Sequence, residues 1–369
     1  MLDLGRKKLK KLFVDSDITS AKTLPSFFYN DVEYFEASKQ KIFSRSWQFA
    51  CDSSLVRVAG QVAPCILLKD FLDEPVIFTR DQNDRVNCLS NVCTHRGNLL
   101  VEGNCVLHGL RCRYHGRKFT LDGKFMSMPE FEGVKNFPSS KDNLPRIPFD
   151  SWGPFMFASM RPVAPLQSFM DDMFQRMSWF GPGNLKVDSS RSKDYLVKCH
   201  WALYCENYLE GFHIPYVHNS LNDELDYGSY TTKLFPFSVL QTGYGKNSAG
   251  TFRDLPAGPG DKGSVSAFYY WIFPNLMFNF YPWGISVNVV TPLRKDLTRV
   301  SFISYVSDES LLGEGAGAEL DKVEREDEAI VENVQKGIAS GSYISGRYSP
   351  KRETGTHHFH RLICDFMND

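Results

Sequence analysis

The sequence predicts an α+β protein of two domains: a small antiparallel β domain, then a larger α+β domain built on a central antiparallel sheet. Three observations carry that expectation. Short runs of strand character occupy residues 47–50, 55–58, 65–69, 76–79 and 86–90, punctuated by Gly, Asp and Asn. Aromatic and β-branched residues fill 267–273, 276–291 and 299–306, and the turn at 294–297 joins the last two as a hairpin. Third, residues 319–341 read as a long amphipathic helix, with Leu320, Val323, Ile330, Val331, Val334 and Ile338 at helical spacing.

The whole-chain properties narrow the function classes. At 369 residues, with 42% hydrophobic and 23% charged residues, the chain is long enough for two domains and a large core. A net charge of −1 gives no electrostatic reason to expect nucleic acid or an anionic membrane as partner. No run approaches the roughly 20 apolar residues that span a bilayer, so no stable membrane insertion is expected. The basic stretch 1–13 lacks a hydrophobic run and a small-residue cleavage site, which argues against a secretory signal. It reads as a solvated surface helix or frayed end, with a segment touching a membrane or partner as the alternative. Nine cysteines, an odd number in no regular framework, point to reduced thiols and a cytoplasmic setting.

Taken in order, residues 1–43 form an N-terminal segment expected to pack on the catalytic domain, 44–148 the β domain and 149–369 the catalytic domain. Within the first segment, 25–31 reads as a loop and 32–44 as a helix through Phe35, Ile42 and Phe43. Residues 196–203 are expected as a strand feeding a helix that carries 206–210. The Gly- and Pro-rich 243–263 reads as a lid or channel wall, or as a plain surface loop. Residues 311–318 loop out.

The strongest local signal is Cys93-Thr-His95-Arg-Gly97 followed by Cys112-Arg-Tyr-His115-Gly116. Each loop brings one thiolate and one imidazole to a point, a donor set that suits zinc or iron. The mixed order favours a Rieske centre, where two Cys hold one iron of a 2Fe–2S cluster and two His the other. Glycine lets backbone approach such a cluster and hydrogen-bond its sulfides. Cys105 and His108, between the loops, are read as bystanders.

A second constellation lies in residues 206–218. His213 and His218 are five apart, with Glu210 three before the first. On an unbroken helix that separation puts the two side chains roughly 140° apart, too far round to share an ion. Pro215 between them kinks or ends the helix and could return the second histidine to the first. A carboxylate would complete a two-His, one-carboxylate iron site with open positions. Asp327 lies near the centre of the apolar arc of the 319–341 helix. Glu326, Glu328 and Glu332 fall outside it, and Glu324 sits at its edge. A carboxylate on a buried face costs several kcal/mol unless paired or metal-bound. That makes Asp327 the candidate third ligand, with an interior salt bridge as the alternative.

Together, Cys93-x-His95, Cys112-x-x-His115 and Glu210-x-x-His213-x4-His218 resemble the large (alpha) subunit of Rieske non-haem iron oxygenases. The resemblance spans residues 35–369 and implies a helix-grip-like catalytic domain. It implies a 2Fe–2S cluster on Cys93, His95, Cys112 and His115, and a mononuclear Fe(II) on His213, His218 and Asp327. Electrons would come from NAD(P)H through a separate flavin/iron–sulfur reductase or a ferredoxin, to be used with O2 on a small organic substrate. The family is typically homotrimeric, and Glu210 matches its acidic bridge between a cluster histidine and an iron histidine of adjoining subunits. Arg117-Lys118 departs from the pattern, where the family often has Trp. Glu210 in place of the commoner Asp, with aromatic strands around 268–271 and 278–283, is similar to the quaternary-ammonium branch acting on carnitine, choline or glycine betaine. The alternatives are an aromatic-ring-hydroxylating dioxygenase alpha subunit and, from another class, a Rieske electron-transfer protein without oxygenase activity. Mono- versus dioxygenation stays open.

Overall fold

A computed structural model describes residues 9–246, 250–253, 255–256 and 264–369. The chain divides into two compact units. One is Ser44–Val163; the other joins the N-terminal residues up to Phe43 with Ala164–Asp369. No helix among the described residues is long and apolar enough to cross a membrane. Residues 1–8, and 247–249, 254 and 257–263 of the Gly/Pro-rich stretch, lie outside the described residues.

In the smaller unit every strand pairs antiparallel. Its strands are β1 (Gln48–Asp52), β2 (Gln61–Leu67), β3 (Glu74–Arg80), β4 (Val86–Ser90), β5 (Cys105–Val106), β6 (Leu110–Arg111), β7 (Lys118–Phe119), β8 (Phe125–Ser127), β9 (Phe149–Trp152) and β10 (Phe155–Ala158). They form three sheets, ordered β4-β3-β2-β5, β6-β7-β8 and β1-β10-β9. Two expectations need correction here. Residues 53–56 make a 3-10 turn where a strand over 55–58 was expected, because the Asp52 carboxylate accepts the Ser54 N–H and starts the turn. The boundary expected at 148 lies at Val163. The ladder partners of Phe155–Ala158 are residues 48–52, which ties 149–158 to the first strand of this unit.

The larger unit contains α1 (Ser26–Asn30), α2 (Val32–Lys41), α3 (Leu166–Arg176), α4 (Trp201–Tyr208), α5 (Ile214–Val217), α6 (Asn219–Glu224), α7 (Leu320–Ile338) and α8 (Thr354–Asn368). Its sheet has strands β11 (Lys186–Val197), β12 (Thr231–Phe235), β13 (Ser238–Tyr244), β14 (Val265–Ile272), β15 (Leu276–Tyr281), β16 (Gly284–Arg294) and β17 (Leu297–Val306). The order is β11-β17-β16-β15-β14-β13-β12, and every neighbouring pair is antiparallel. The 294–297 hairpin forms as its turn chemistry suggests. The stretch 276–291 is two strands, turning at Pro282-Trp283.

Every residue of β13 and β15 is buried, so the middle of the sheet is covered on both faces. Helix α8 supplies part of that cover: Phe359 meets Trp271 at 5.0 Å and Phe366 meets Phe273 at 4.6 Å between ring centroids. Side chains of this size contribute about 1.5–3 kcal/mol each on burial. Residues 25–31, expected as a loop, hold the one-turn helix α1, which buries Phe28 and Tyr29. Pro25 stands at its start, where a missing N–H costs nothing.

Candidate metal centres

The two Cys/His loops of the smaller unit are the same turn built twice. In the first, Cys93 N–H donates to Asn98 O (2.9 Å) and Gly97 N–H to Cys93 O (3.0 Å). In the second, Cys112 N–H donates to Arg117 O (2.8 Å) and Gly116 N–H to Cys112 O (3.0 Å). Both turns close through a left-handed glycine, Gly97 at φ 72° and Gly116 at φ 75°, a conformation a Cβ would strain. The repeat brings the four donors together. The two thiols face one another, and the His95 and His115 rings lie 4.7 Å apart. At Cys112 burial opposes ionisation, but the N–H groups of Tyr114 and His115, with Cys93 and Asn98, outweigh it and hold the thiol below its usual range. Cys105 is half-buried beside this core, while His108 is not part of the four-donor set.

Arg117 lies where the two loops meet. Its guanidinium, 2% exposed, binds Asp142 Oδ1 at 2.6 Å and lies 5.0–5.7 Å from the rings of Phe119, Phe125 and Phe137. The Asp142 carbonyl takes the Thr94 hydroxyl at 2.8 Å. One segment therefore holds both loops.

In the larger unit His213, His218 and Asp327 converge. One donor atom from each lies within 4.8 Å of the others, the one such trio among the described residues. Asp327 Oδ1 is 3.1 Å from His218 Nε2 and 3.6 Å from His213 Nε2. The route to this geometry differs from a kinked helix. Helix α4 stops at Tyr208, so Glu210 lies beyond it, in the turn that carries His213. Pro215 then sits in the first turn of the new helix α5, where proline is tolerated, and His218 follows at its end. Gly211 is needed in that turn, since a Cβ there would come 2.8 Å from the Tyr230 ring.

Each histidine is held from behind by a carboxylate. Glu210 Oε1 is 2.6 Å from His213 Nδ1, and Glu210 Oε2 accepts the N–H groups of Phe212 and His213. Glu326 Oε2 is 2.7 Å from His218 Nδ1. Both rings thereby turn Nε2 towards Asp327, whose Oδ1 also accepts from Asn207 Nδ2 at 2.6 Å. Burial pulls the His218 imidazole down, but Asp327 and Glu326 prevail and raise it above its ordinary value. Glu326 was outside the apolar arc, so periodicity missed it. Its position directly before Asp327 was the available signal.

The trio opens on a cavity with about 790 Å³ of unfilled space, open solvent at its mouth included. Tyr208, Tyr230, Tyr269, Tyr281 and Phe302 line it, with the amides of Gln241, Asn279 and Asn288. Burial raises the phenols of Tyr208, Tyr230 and Tyr281 well above their ordinary range, so they remain neutral. Of the aromatic residues in 268–271 and 278–283, Tyr269 and Tyr281 reach the cavity; Trp271 packs on α8 instead. Glu324, at the edge of the arc, is 3% exposed and also lines the cavity. Burial raises its carboxyl well above the usual range, although the Tyr204 hydroxyl works the other way.

A thiol/imidazole double loop and a two-His, one-carboxylate trio, each in its own unit, define a Rieske-type non-haem iron oxygenase. The model of the ring hydroxylating alpha subunit (catalytic domain) matches residues 183–369 and that of the Rieske [2Fe-2S] domain residues 46–138; the chain belongs to this family. It is 29% identical to the chloroplastic choline monooxygenase of Arabidopsis thaliana, over 96% of this chain and 86% of that protein. It is 26% identical to the carnitine monooxygenase oxygenase subunit of Escherichia coli (strain K12), over 94% of each. Among solved structures, a quaternary ammonium Rieske monooxygenase in complex with L-carnitine superposes with a TM-score of 0.76 at 22% identity, covering 97% of this chain and 100% of that one. Naphthalene 1,2-dioxygenase with indole bound reaches 0.69 at 17%, covering 94% and 92%. Both likenesses speak to the fold.

A protein of this family carries a 2Fe–2S cluster and a mononuclear iron and receives electrons from NAD(P)H through a reductase. The residues present fit both groups. His115 Nδ1 is buried with no hydrogen-bond partner, as a nitrogen reserved for a metal would be. All nine cysteines are free thiols. The trio's donors are one carboxylate and two imidazoles oriented by outer carboxylates, a set suited to iron.

Proposed function

We propose that the chain is the oxygenase component of a Rieske system that oxidises a small quaternary ammonium compound of the choline or carnitine type. In this reading Cys93, Cys112, His95 and His115 hold the cluster, and His213, His218 and Asp327 hold the iron. When bound, these groups supply one-electron transfer and oxygen activation, respectively. The Ser44–Val163 unit serves electron transfer and the larger unit catalysis. Glu210 fixes the His213 ring and is the acidic link through which a neighbouring subunit's cluster histidine couples to this site in a homotrimer. A flavin/iron–sulfur reductase or ferredoxin is the electron donor, and the reduced thiols suit a cytoplasmic setting.

The supporting observation is the wall of the cavity beside the trio. Five tyrosines line it, as do the carboxyl groups of Glu210, Glu324 and Asp327, and no Lys or Arg is among the described residues that do. Aromatic faces attract alkylammonium groups by about 0.5–2 kcal/mol each, more when water is excluded. Negative charge beside them selects a cation further. The tyrosine rings and the buried sheet behind them keep bulk water from the substrate, while the amides of Gln241, Asn279 and Asn288 offer hydrogen bonds to its polar end.

The reading is tested by oxygen uptake with a surrogate reductase and NADH across choline, carnitine, betaines and aromatic acids, alongside iron and acid-labile sulfide analysis. Turnover of ammonium compounds by a red-brown protein is expected. Turnover of aromatic acids alone would favour an aromatic-ring-hydroxylating oxygenase. Zinc without labile sulfide would remove the oxygenase reading altogether.

A further inference from the structure

Three carboxyl groups line the cavity, and their oxygens are not equally engaged. Asp327 Oδ1 faces both histidines and accepts from Asn207. Both Glu210 oxygens are taken, by the His213 ring and by the backbone of Phe212 and His213. Glu324 differs. Its Oε2 accepts the Tyr204 hydroxyl at 2.6 Å, and its Oε1 is buried with no partner. Leaving such an oxygen unsatisfied is costly, more so if it is charged, so a group that meets it on binding recovers that penalty. The adjacent Arg325 is not that group: its guanidinium binds Glu328 at 2.9 Å and lies 5.0 Å from the centre of the Tyr195 ring.

We propose that Glu324 is the counter-charge for the substrate's cationic nitrogen, the specificity-determining residue by which this cavity prefers a small quaternary ammonium compound to its uncharged isostere. This rests on the ammonium reading above. The tyrosine faces surround the alkyl groups and hold either compound through apolar contact. The carboxyl distinguishes them: burial disfavours its charged form in the empty cavity, and only a cation beside it compensates that charge in a site that excludes water.

The test uses the iron-loaded protein without electron donor, so that binding is read apart from turnover. Calorimetry gives the affinity for choline and for 3,3-dimethylbutan-1-ol, in which carbon replaces the charged nitrogen. The native protein should bind choline at least tenfold more tightly. In Glu324→Gln the choline affinity should fall at least tenfold, with the isostere within about twofold of native, so that the preference collapses. Tyr204→Phe, which removes the hydroxyl partner and keeps the carboxyl, should retain it, separating charge from a structural role. Should Glu324→Gln not fold, Glu324→Asp displaces the carboxyl by one methylene and should reduce the same ratio. A variant at Glu324 that folds and keeps the full preference overturns the proposal. A native protein that shows no preference defeats the ammonium reading itself, a result distinct from the variant's.

Discussion

His218 is gripped from both sides by consecutive residues of one helix: Glu326 Oε2 is 2.7 Å from Nδ1 and Asp327 Oδ1 is 3.1 Å from Nε2. Neighbours on a helix diverge by about 100°, so they meet one ring only when it stands across the helix between them. The imidazole is 1% exposed and its orientation is fixed by that pair.

Glu326→Gln should therefore weaken the second metal site without dismantling it. Outer partners of this kind are worth roughly 10–100-fold in metal affinity. Cobalt titration of the metal-stripped site, followed by its visible absorption, should show a loss in that range. The colour of the Rieske cluster should be unchanged.

Asp327→Ala and Glu210→Gln should separate binding from coupling. The first removes the carboxylate donor, and iron per chain should fall by one with acid-labile sulfide unaltered. The second leaves every proposed donor in place, so with iron supplied in excess to offset the loss of the carboxylate behind His213 both metals should remain while turnover is lost. Full activity in Glu210→Gln would remove Glu210 from the electron path.

Arg117→Ala should loosen the Rieske loops. It leaves Asp142 without its buried partner and empties the space between three phenylalanine rings. Breaking the pair from one side and leaving that space unfilled are both destabilising. The visible absorption of the cluster should bleach at a lower temperature than in the native protein.

The larger unit should lose stability in mild acid through His200. Burial among Phe28, Tyr29, Phe35 and Trp201, with a minor contribution from Lys295, holds its imidazole down from 6.5 to about 3. The folded form keeps it neutral while the unfolded chain takes up a proton below 6.5. Its contribution is therefore complete above neutrality and declines as pH falls from 6.5 to about 3, by about 1.4 kcal/mol per unit. Nδ1 also caps helix α4 through the Ala202 N–H at 3.2 Å. Urea midpoints at pH 7, 6 and 5 should fall in the native protein and fall less in His200→Asn, which keeps a capping side chain.

The rotation of α7 shows where local pattern stops being informative. The apolar stripe suggested that Ile330 and Val334 face inward, yet they are 37% and 41% exposed. The buried residues are Glu324, Val331, Gln335 and Ile338. The helix is turned because α4 and its leading residues supply polar partners: Tyr204 to Glu324, and the His200 N–H to Gln335 Oε1 at 2.8 Å. A hydrogen-bonded Glu or Gln is buried at little cost, and a hydropathy arc has no means of registering that.

Local pattern was enough for the paired Cys/His loops, the antiparallel strands and the histidines of 206–218, because thiol–imidazole spacing, alternation and glycine turns act over a few residues. It also reached Asp327, which lies close enough to the centre of the stripe to survive the rotation. Only the folded chain shows that 149–158 belongs with β1, that α4 ends before Glu210, and that Glu326 and Glu324 stand beside the trio of His213, His218 and Asp327. The strand pairing and the placing of Glu324 and Glu326 depend on hydrogen bonds between segments about 100 residues apart, whose partners become visible only when the chain has closed on itself.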